Sequence, residues 1–156
     1  MTFAAPVLEP AASLRAALAA GEPVHLLDVR WSLAAPDGSE AYRAGHVPGA
    51  VYVSLDDELS RHGEPVEGRH PLPELADLER AARRWGLREG ERVVVYDDGP
   101  GLAAARAWWL LRWAGLADVR LLDGGLAAWT AEGGELESGW VEAEPGDVLL
   151  SAGHLP

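Results

Sequence analysis

The chain contains no cysteine and no lysine; all 13 of its basic residues are arginines. Without cysteine it can form neither a disulfide framework nor a thiolate-based metal site. Without lysine it can perform no Schiff-base chemistry and has no phosphate-binding lysine of the P-loop type. These absences exclude several common enzyme mechanisms, and they favour a cytoplasmic protein.

Long hydrophobic runs and basic clusters are also missing. No stretch is apolar enough over about 20 residues to span a membrane, and the N-terminal region lacks the basic start of a signal peptide. The net charge is −12, with 25 acidic residues, which argues against nucleic acid or an anionic membrane as a partner. His62 and His70 have no other candidate ligands nearby, so we predict no metal site, and we predict no cofactor.

The 156 residues are enough for one domain with a proper core. Apolar, β-branched runs predict buried strands, and segments free of glycine and proline predict helices between them. We predict strands at 24–29, 50–53, 93–96 and 119–122, and helices at 10–20, 40–44, after Ser54, at 73–85, from 102 to Gly115 and at 126–131. Alternating strands and helices indicate an α/β fold: a doubly wound, mainly parallel sheet flanked by helices.

The last residues differ in character from the rest. Residues 137–156 are acidic, contain several glycines and prolines, and show little periodicity. We therefore predict a domain at 1–136 and a linker-like tail at 137–156 that lies outside the core.

The centre of the sequence is a strand at 93–96, a loop at 97–101 and a helix that begins at Leu102. In α/β proteins, a loop at the carboxyl end of a strand is a common ligand site. A cysteine on such a loop would be a nucleophile, glycines could hold a phosphate, and an aspartate could attack a phosphoryl group. The residue that follows the strand is Asp97.

Two functions of this loop can be weighed from the residues alone. The pattern Gly99-x-Gly101-x-x-Ala104, with Asp123 after the next strand, fits a dinucleotide-binding loop. However, Asp97 and Asp98 would repel a pyrophosphate, Pro100 removes an N–H donor, and little chain follows Asp123. An aspartyl nucleophile for phosphoryl transfer would require a second aspartate where Gly99 stands, and a lysine.

A third possibility comes from resemblance to a known family. Residues 25–30 (HLLDVR), 45–50 (GHVPGA) and 122–125 (LDGG), followed by Ala128 and Trp129, resemble in order the signature stretches of rhodanese domains. The resemblance implies a doubly wound parallel sheet. It also implies that the residue after the central strand is the cysteine that carries sulfane sulfur in active members.

That cysteine is replaced by Asp97, so the resemblance implies a catalytically silent domain. The related phosphatases also need an arginine where Ala103 stands. Residues 94–97 (VVYD) and 106–109 (RAWW) resemble the N-terminal, non-catalytic half of tandem thiosulfate or 3-mercaptopyruvate sulfurtransferases. The implied partner is a second rhodanese domain of the same polypeptide that bears the cysteine. The alternative is a stand-alone module that binds a protein or a small ligand.

Direct roles for the remaining candidates follow from residue type. Asp97 and Asp98 can cap the following helix, and His46 is predicted to bond to local backbone. Trp109, Trp113 and Leu110 share a helical face, which predicts core packing, whereas Trp108 points elsewhere. We place Trp31 and Trp108, together with the loop residues Gly99 and Gly101, at a possible interdomain surface. Arg106 either pairs with a carboxylate or faces the second domain.

Overall fold

The computed structural model describes residues 4–156 and shows a five-stranded, parallel sheet with helices on both faces. The spatial strand order is β1-β5-β4-β2-β3. The strands are β1 (Leu8–Glu9), β2 (Val24–Asp28), β3 (Val51–Tyr52), β4 (Arg92–Tyr96) and β5 (Val119–Leu122). The helices are α1 (Ala11–Ala19), α2 (Ser39–Ala44), α3 (Leu75–Arg84), α4 (Leu102–Trp113) and α5 (Gly125–Ala131), with a 3₁₀ turn at Pro65–Glu67.

The two faces of the sheet bury two separate cores, and β4 contributes to both. Val93 and Val95 belong to the larger core with residues of α3 and α4, whereas Val94 and Tyr96 belong to the smaller core with residues of α1 and α5. Side chains alternate along a strand, so a strand covered on both faces is apolar throughout. The predicted α/β class and mainly parallel sheet are therefore confirmed.

Two elements differ from the sequence prediction. Strand β1, which pairs with β5 through Leu8 and Glu9, was not predicted because two residues carry no periodic signal. The helix predicted after Ser54 is a turn instead. The Ser54 hydroxyl accepts a hydrogen bond from the N–H of Asp57 at 3.2 Å, as a cap does, but no helix continues from it.

The tail contains no helix or strand of the sheet, but the prediction that it lies outside the core was wrong. Val148 and Leu150 are buried in the larger core. Their backbone is held as well: the N–H of Val148 bonds to the carbonyl of Leu87 at 3.2 Å, and Glu137 forms an antiparallel bridge with His46. Apolar burial at two positions and backbone pairing fix this segment along the domain.

None of the helices formed within residues 4–156 has both the length and the apolar character that a membrane crossing requires.

Candidate functional site

The five parallel strands place the central loop at the carboxyl edge of the sheet, where Asp97 follows β4 directly. The Asp97 side chain is buried, with an exposed fraction of 4%. Its Oδ1 accepts a hydrogen bond from the N–H of Gly99 at 3.1 Å, and its Oδ2 accepts one from the N–H of Ala104 at 3.0 Å. The Asp97 carboxylate therefore occupies the space inside the loop at 97–101 and bonds to the backbone around it.

The second of these bonds caps α4. The residue at the N-cap position is Gly101, which has a left-handed φ of 94° and no side chain to offer. The first N–H groups of a helix lack intrahelical partners, and Asp97 satisfies one of them from outside the helix. Capping is thus confirmed for Asp97. Asp98 is exposed, and within residues 4–156 its side chain makes no hydrogen bond.

The turn after β5 packs directly on the backbone of Asp97. The carbonyl of Asp97 accepts a hydrogen bond from the N–H of Leu126 at 3.1 Å. A Cβ atom at Gly125 would lie 2.7 Å from that same carbonyl oxygen, and the φ of Gly125 is +61°. The glycines of the 122–125 stretch therefore permit a close approach of two backbone segments. Between them lies a small cavity of about 290 Å³, lined by residues that include Tyr96, Gly99 and Asp123.

This arrangement limits the chemistry of the loop. The described residues offer no thiol, and the N–H groups of Gly99 and Ala104 already bind the Asp97 carboxylate. A pyrophosphate at Gly99-x-Gly101-x-x-Ala104 would have to displace that carboxylate and meet its negative charge. The geometry therefore counts against dinucleotide binding.

A buried ion pair follows β2, and its role was missed at the sequence level. The Nε of Arg30 donates to both carboxylate oxygens of Asp28 at 3.1 Å, and its other nitrogens bond to the carbonyls of Ala41 and Gly45. Burial acts to lower the pKa of Arg30, but the hydrogen bonds and the charge of Asp28 outweigh it and raise that pKa. Arg30 thus ties the end of β2 to α2. The sequence signal for this pair was the presence of two opposite charges, Asp28 and Arg30, at the end of the buried strand β2.

His46 lies in the same region of the fold, just after α2. One ring nitrogen lies 2.9 Å from the carbonyl oxygen of Val47 and the other lies 2.9 Å from the carbonyl oxygen of Gly139, and the ring stacks on Tyr42. The predicted structural role of His46 is confirmed, with the addition that it anchors the tail.

A second polar cluster at the carboxyl edge joins Trp31, Asp56 and His70. The Oδ1 of Asp56 accepts a hydrogen bond from the indole N–H of Trp31 at 3.1 Å and lies 2.9 Å from Nε2 of His70. The rings of Trp31 and His70 meet edge to face at 5.4 Å. The imidazole is about one third exposed, so this pair is accessible from solvent. The sequence did not indicate the pair of Asp56 and His70, because the two residues are 14 positions apart, one in a short turn and the other in a long loop.

Arg106 holds the loop that carries His70. Its guanidinium donates to the carbonyls of Leu59 (3.0 Å), His70 (2.9 Å) and Pro71 (3.4 Å). Among residues 4–156, no carboxylate oxygen lies within ion-pair distance of it, and burial lowers its pKa. Of the two roles considered for Arg106, pairing with a carboxylate is therefore not observed.

The tryptophans of α4 are arranged differently from the prediction. Trp108 is partly buried against the larger core, and its indole N–H bonds to the carbonyl of Val119 at 2.9 Å. Trp109 is instead exposed over 39% of its surface and stacks on Trp113. The candidate surface residue on this helix is thus Trp109 rather than Trp108. Trp31 is partly buried and belongs to the cluster with His70.

The part of the chain that the structure describes contains no group of three or more His, Cys, Asp or Glu side chains suited to a metal ion. His62 and His70 instead have single carboxylate neighbours, Asp57 and Asp56.

Comparison with known proteins identifies the same family by independent routes. Residues 10–132 match the rhodanese-like domain family. The chain is 54% identical over 144 residues to SseB of Mycobacterium tuberculosis, named as a thiosulfate sulfurtransferase, covering 92% of this chain and 51% of SseB. It is 38% identical over 109 residues to the 3-mercaptopyruvate sulfurtransferase of Escherichia coli, covering 70% of this chain and 38% of that protein.

Solved structures agree. The crystal structure of SseA from E. coli, a 3-mercaptopyruvate sulfotransferase, superposes with a TM-score of 0.82 at 31% identity, over 93% of this chain and 55% of SseA. The 3-mercaptopyruvate sulfurtransferase of Leishmania major gives a TM-score of 0.84 at 29% identity, over 95% of this chain and 41% of that one. The chain therefore spans about half the length, or less, of these relatives.

Proposed function

The chain belongs to the rhodanese-like domain family, and from this premise we propose that it is the non-catalytic, N-terminal domain of a two-domain sulfurtransferase. The whole protein would move a sulfane sulfur from thiosulfate or 3-mercaptopyruvate to a thiophilic acceptor. The nucleophilic cysteine would lie on a second rhodanese domain of the same polypeptide.

One observation carries this proposal: a carboxylate takes the place of the nucleophile. Asp97 follows the central strand, and its two oxygens bind the N–H groups of Gly99 and Ala104. A carboxylate cannot hold a sulfane sulfur, and its charge repels an anionic donor such as thiosulfate. The strand, the turn and the helix around it are intact, so the scaffold has kept its shape without the chemistry.

The relatives support the tandem arrangement. SseB, of which this chain covers 51%, is named as a thiosulfate sulfurtransferase, and the E. coli relative as a 3-mercaptopyruvate sulfurtransferase. Half-length coverage is what one domain of a two-domain protein would give. The cytoplasmic location indicated by the composition remains part of the proposal.

We further propose that this domain presents the Trp31, Asp56 and His70 cluster to the site of sulfur transfer. All three residues follow carboxyl ends of strands or lie on the loop beside them, at the edge that also carries Asp97. The Asp56 carboxylate orients the imidazole of His70, whose partly exposed ring can then hydrogen-bond to the donor molecule.

The test compares this chain alone with the chain extended through the downstream reading frame. We expect no thiosulfate–cyanide activity from residues 1–156, and activity from the extended protein that disappears when its predicted cysteine is replaced by serine. Turnover by the chain alone, after removal of contaminants, would refute the proposal.

A reading frame that stops directly after Pro156 would instead support the stand-alone module. In that case a partner captured in a pull-down by the unaltered chain should be absent from a pull-down by a chain with the Asp97 loop altered.

A further inference from the structure

The outer face of α4 carries a stripe of large apolar side chains, of which Leu102 and Trp109 are exposed and Trp113 is partly buried against the larger core. Leu102 has an exposed fraction of 77%, and Trp109, seven residues later, has one of 39%. Trp113, one turn further on, stacks on Trp109 with ring centroids 6.0 Å apart. Leu102, Trp109 and Trp113 recur at helical spacing and therefore share one side of the helix. We refer to these three residues as the α4 stripe.

The opposite side of α4 already satisfies the packing needs of the domain. Ala103, Ala104, Ala107, Leu110 and Leu111 are buried against the sheet. An amphipathic surface helix normally shows polar residues on its outward side, and aligned large apolar side chains there mark an interaction surface. Tryptophan is also among the residues enriched at interfaces.

The last residues of the chain lie at one end of the α4 stripe. The N–H of His154 bonds to the carbonyl of Trp113 at 3.0 Å, and the N–H of Ser151 bonds to the carbonyl of Ala114 at 3.0 Å. Leu155 is exposed over 92% of its surface. The other end of the stripe, at Leu102, adjoins the Asp97 loop. Because α4 has 12 residues, the two ends are separated by about 18 Å.

We propose that the α4 stripe is the surface on which the second rhodanese domain of the same polypeptide docks, an inference that rests on the proposed function. A domain joined to Pro156 starts beside Trp113, and by packing along the stripe it reaches the Asp97 loop. Interfaces between domains of one chain bury about 600–1,500 Å², which a covered helix face and its adjoining loop can supply.

The net charge of the chain favours the second rhodanese domain, rather than a second copy of this chain, as the partner that docks on the α4 stripe. The chain carries a net charge of −12, so two copies repel each other. Arg106 lies one turn after Leu102, and its guanidinium has no carboxylate partner among residues 4–156. A carboxylate on the docked domain would complete this half-buried cation at the rim of the stripe.

The absence of cysteine from residues 1–156 makes the test direct, because an introduced thiol is the one thiol of this domain and reports the exposure of its position. Leu102→Cys and Trp109→Cys are made in residues 1–156 and in the extended two-domain protein, and labelling by a maleimide is followed at each peptide by mass spectrometry. We expect labelling at both positions to slow by roughly tenfold or more in the two-domain protein. Val66→Cys, in the 3₁₀ turn at Pro65–Glu67 and 93% exposed, is the control and should label equally in both forms.

The possible outcomes separate this inference from the proposed function. Equal labelling of the stripe positions in both forms, in a two-domain protein that retains sulfurtransferase activity, overturns the docking surface and leaves the proposed function standing. Protection of Leu102→Cys without Trp109→Cys also overturns it, because contact would then be limited to the loop. A reading frame that encodes no second domain overturns both.

Discussion

The Oδ2 atom of Asp97 accepts a hydrogen bond from the N–H of Ala104, seven residues further along the chain, at 3.0 Å. This contact places a fixed negative charge at the N-terminus of α4, where the helix dipole favours an anion. A thiolate, or a negatively charged atom of a bound substrate, would occupy the same position at the N-terminus of α4 that the Asp97 carboxylate occupies. The loop is therefore already occupied by its own side chain, and the chain has no cysteine that could take that position.

The first prediction concerns the stability that this contact provides. Asp97→Ala removes the acceptor for two backbone N–H groups, one of which caps α4, and should lower the free energy of unfolding by about 1–2 kcal/mol. Urea unfolding followed by circular dichroism measures it. Asp98→Ala is the matched control: the side chain is exposed, so its effect should stay within about 0.5 kcal/mol. Equal effects of the two variants would mean that Asp97 does not act as the cap.

The second prediction concerns the reactivity of a thiol at the same position. Asp97→Cys places sulfur at the N-terminus of α4, which should lower the thiol pKa, so iodoacetamide should alkylate it faster than a free thiol at about pH 7. Asp98→Cys, outside the turn, should react like a free thiol. We expect little thiosulfate turnover from Asp97→Cys, because Pro100 offers no N–H and Asp98 adds a negative charge. Efficient turnover would contradict our description of the loop.

Arg106 is predicted to order the loop that carries His70. Arg106→Ala removes the donor for the carbonyls of Leu59, His70 and Pro71, and should destabilise the protein by about 1–3 kcal/mol. Amide hydrogen exchange within residues 59–71 should accelerate more than exchange in β4. Arg106→Lys should restore part of the protection, since one ammonium group can reach fewer of these carbonyls. Unchanged exchange in the loop of Arg106→Ala would refute this role.

The packed tail gives a fourth prediction with a neighbouring control. Val148 is fully buried in the larger core, whereas Leu149 is 69% exposed. Val148→Ala should lower the free energy of unfolding by about 2 kcal/mol, through lost burial and the cavity that remains. Leu149→Ala should change it by less than about 0.5 kcal/mol. If Val148→Ala were as mild as Leu149→Ala, residues 137–156 would behave as the free linker that their composition suggests.

The fifth prediction concerns alkaline pH. Burial raises the pKa values of Tyr42 and Tyr96, and raises the pKa of Tyr52 to about 12. With no lysine and no cysteine, these three tyrosines are the side chains whose ordinary pKa, about 10, lies in the alkaline range. Because their folded pKa values lie above the unfolded value of about 10, the stability that they contribute is complete below about pH 10 and is lost as the pH rises above it; for Tyr52 the loss is complete once the pH has passed about 12.

The measurement is a titration of phenolate absorbance beside circular dichroism. Absorbance should stay flat through about pH 10 and then rise together with the loss of secondary structure. A phenolate signal with a midpoint near pH 10 in a protein that keeps its circular dichroism would contradict the burial of these hydroxyl groups.

Much of the fold was predictable because it rests on local patterns. The apolar run in β4 has the composition of a strand covered on both faces, and the alternation of strands with helices fixed the parallel sheet. The place of Asp97 directly after a buried strand could be read from the sequence alone, because it is a local property. Strand β1 escaped prediction because a pair of residues such as Leu8 and Glu9 carries no periodicity.

Other features depend on contacts between distant residues, and the tertiary structure alone decided them. Composition indicated that residues 137–156 form a free tail, but Val148 is buried in the core formed by α3, α4 and the sheet. Helical spacing showed that Trp108 and Trp109 point in different directions, but which of them meets the sheet depends on how α4 packs. The partners of Arg106, His70 and Asp56 come from separate loops. Sequence patterns indicate which side of a helix or strand is apolar. Which other helix or strand packs on that side is determined only by the tertiary structure.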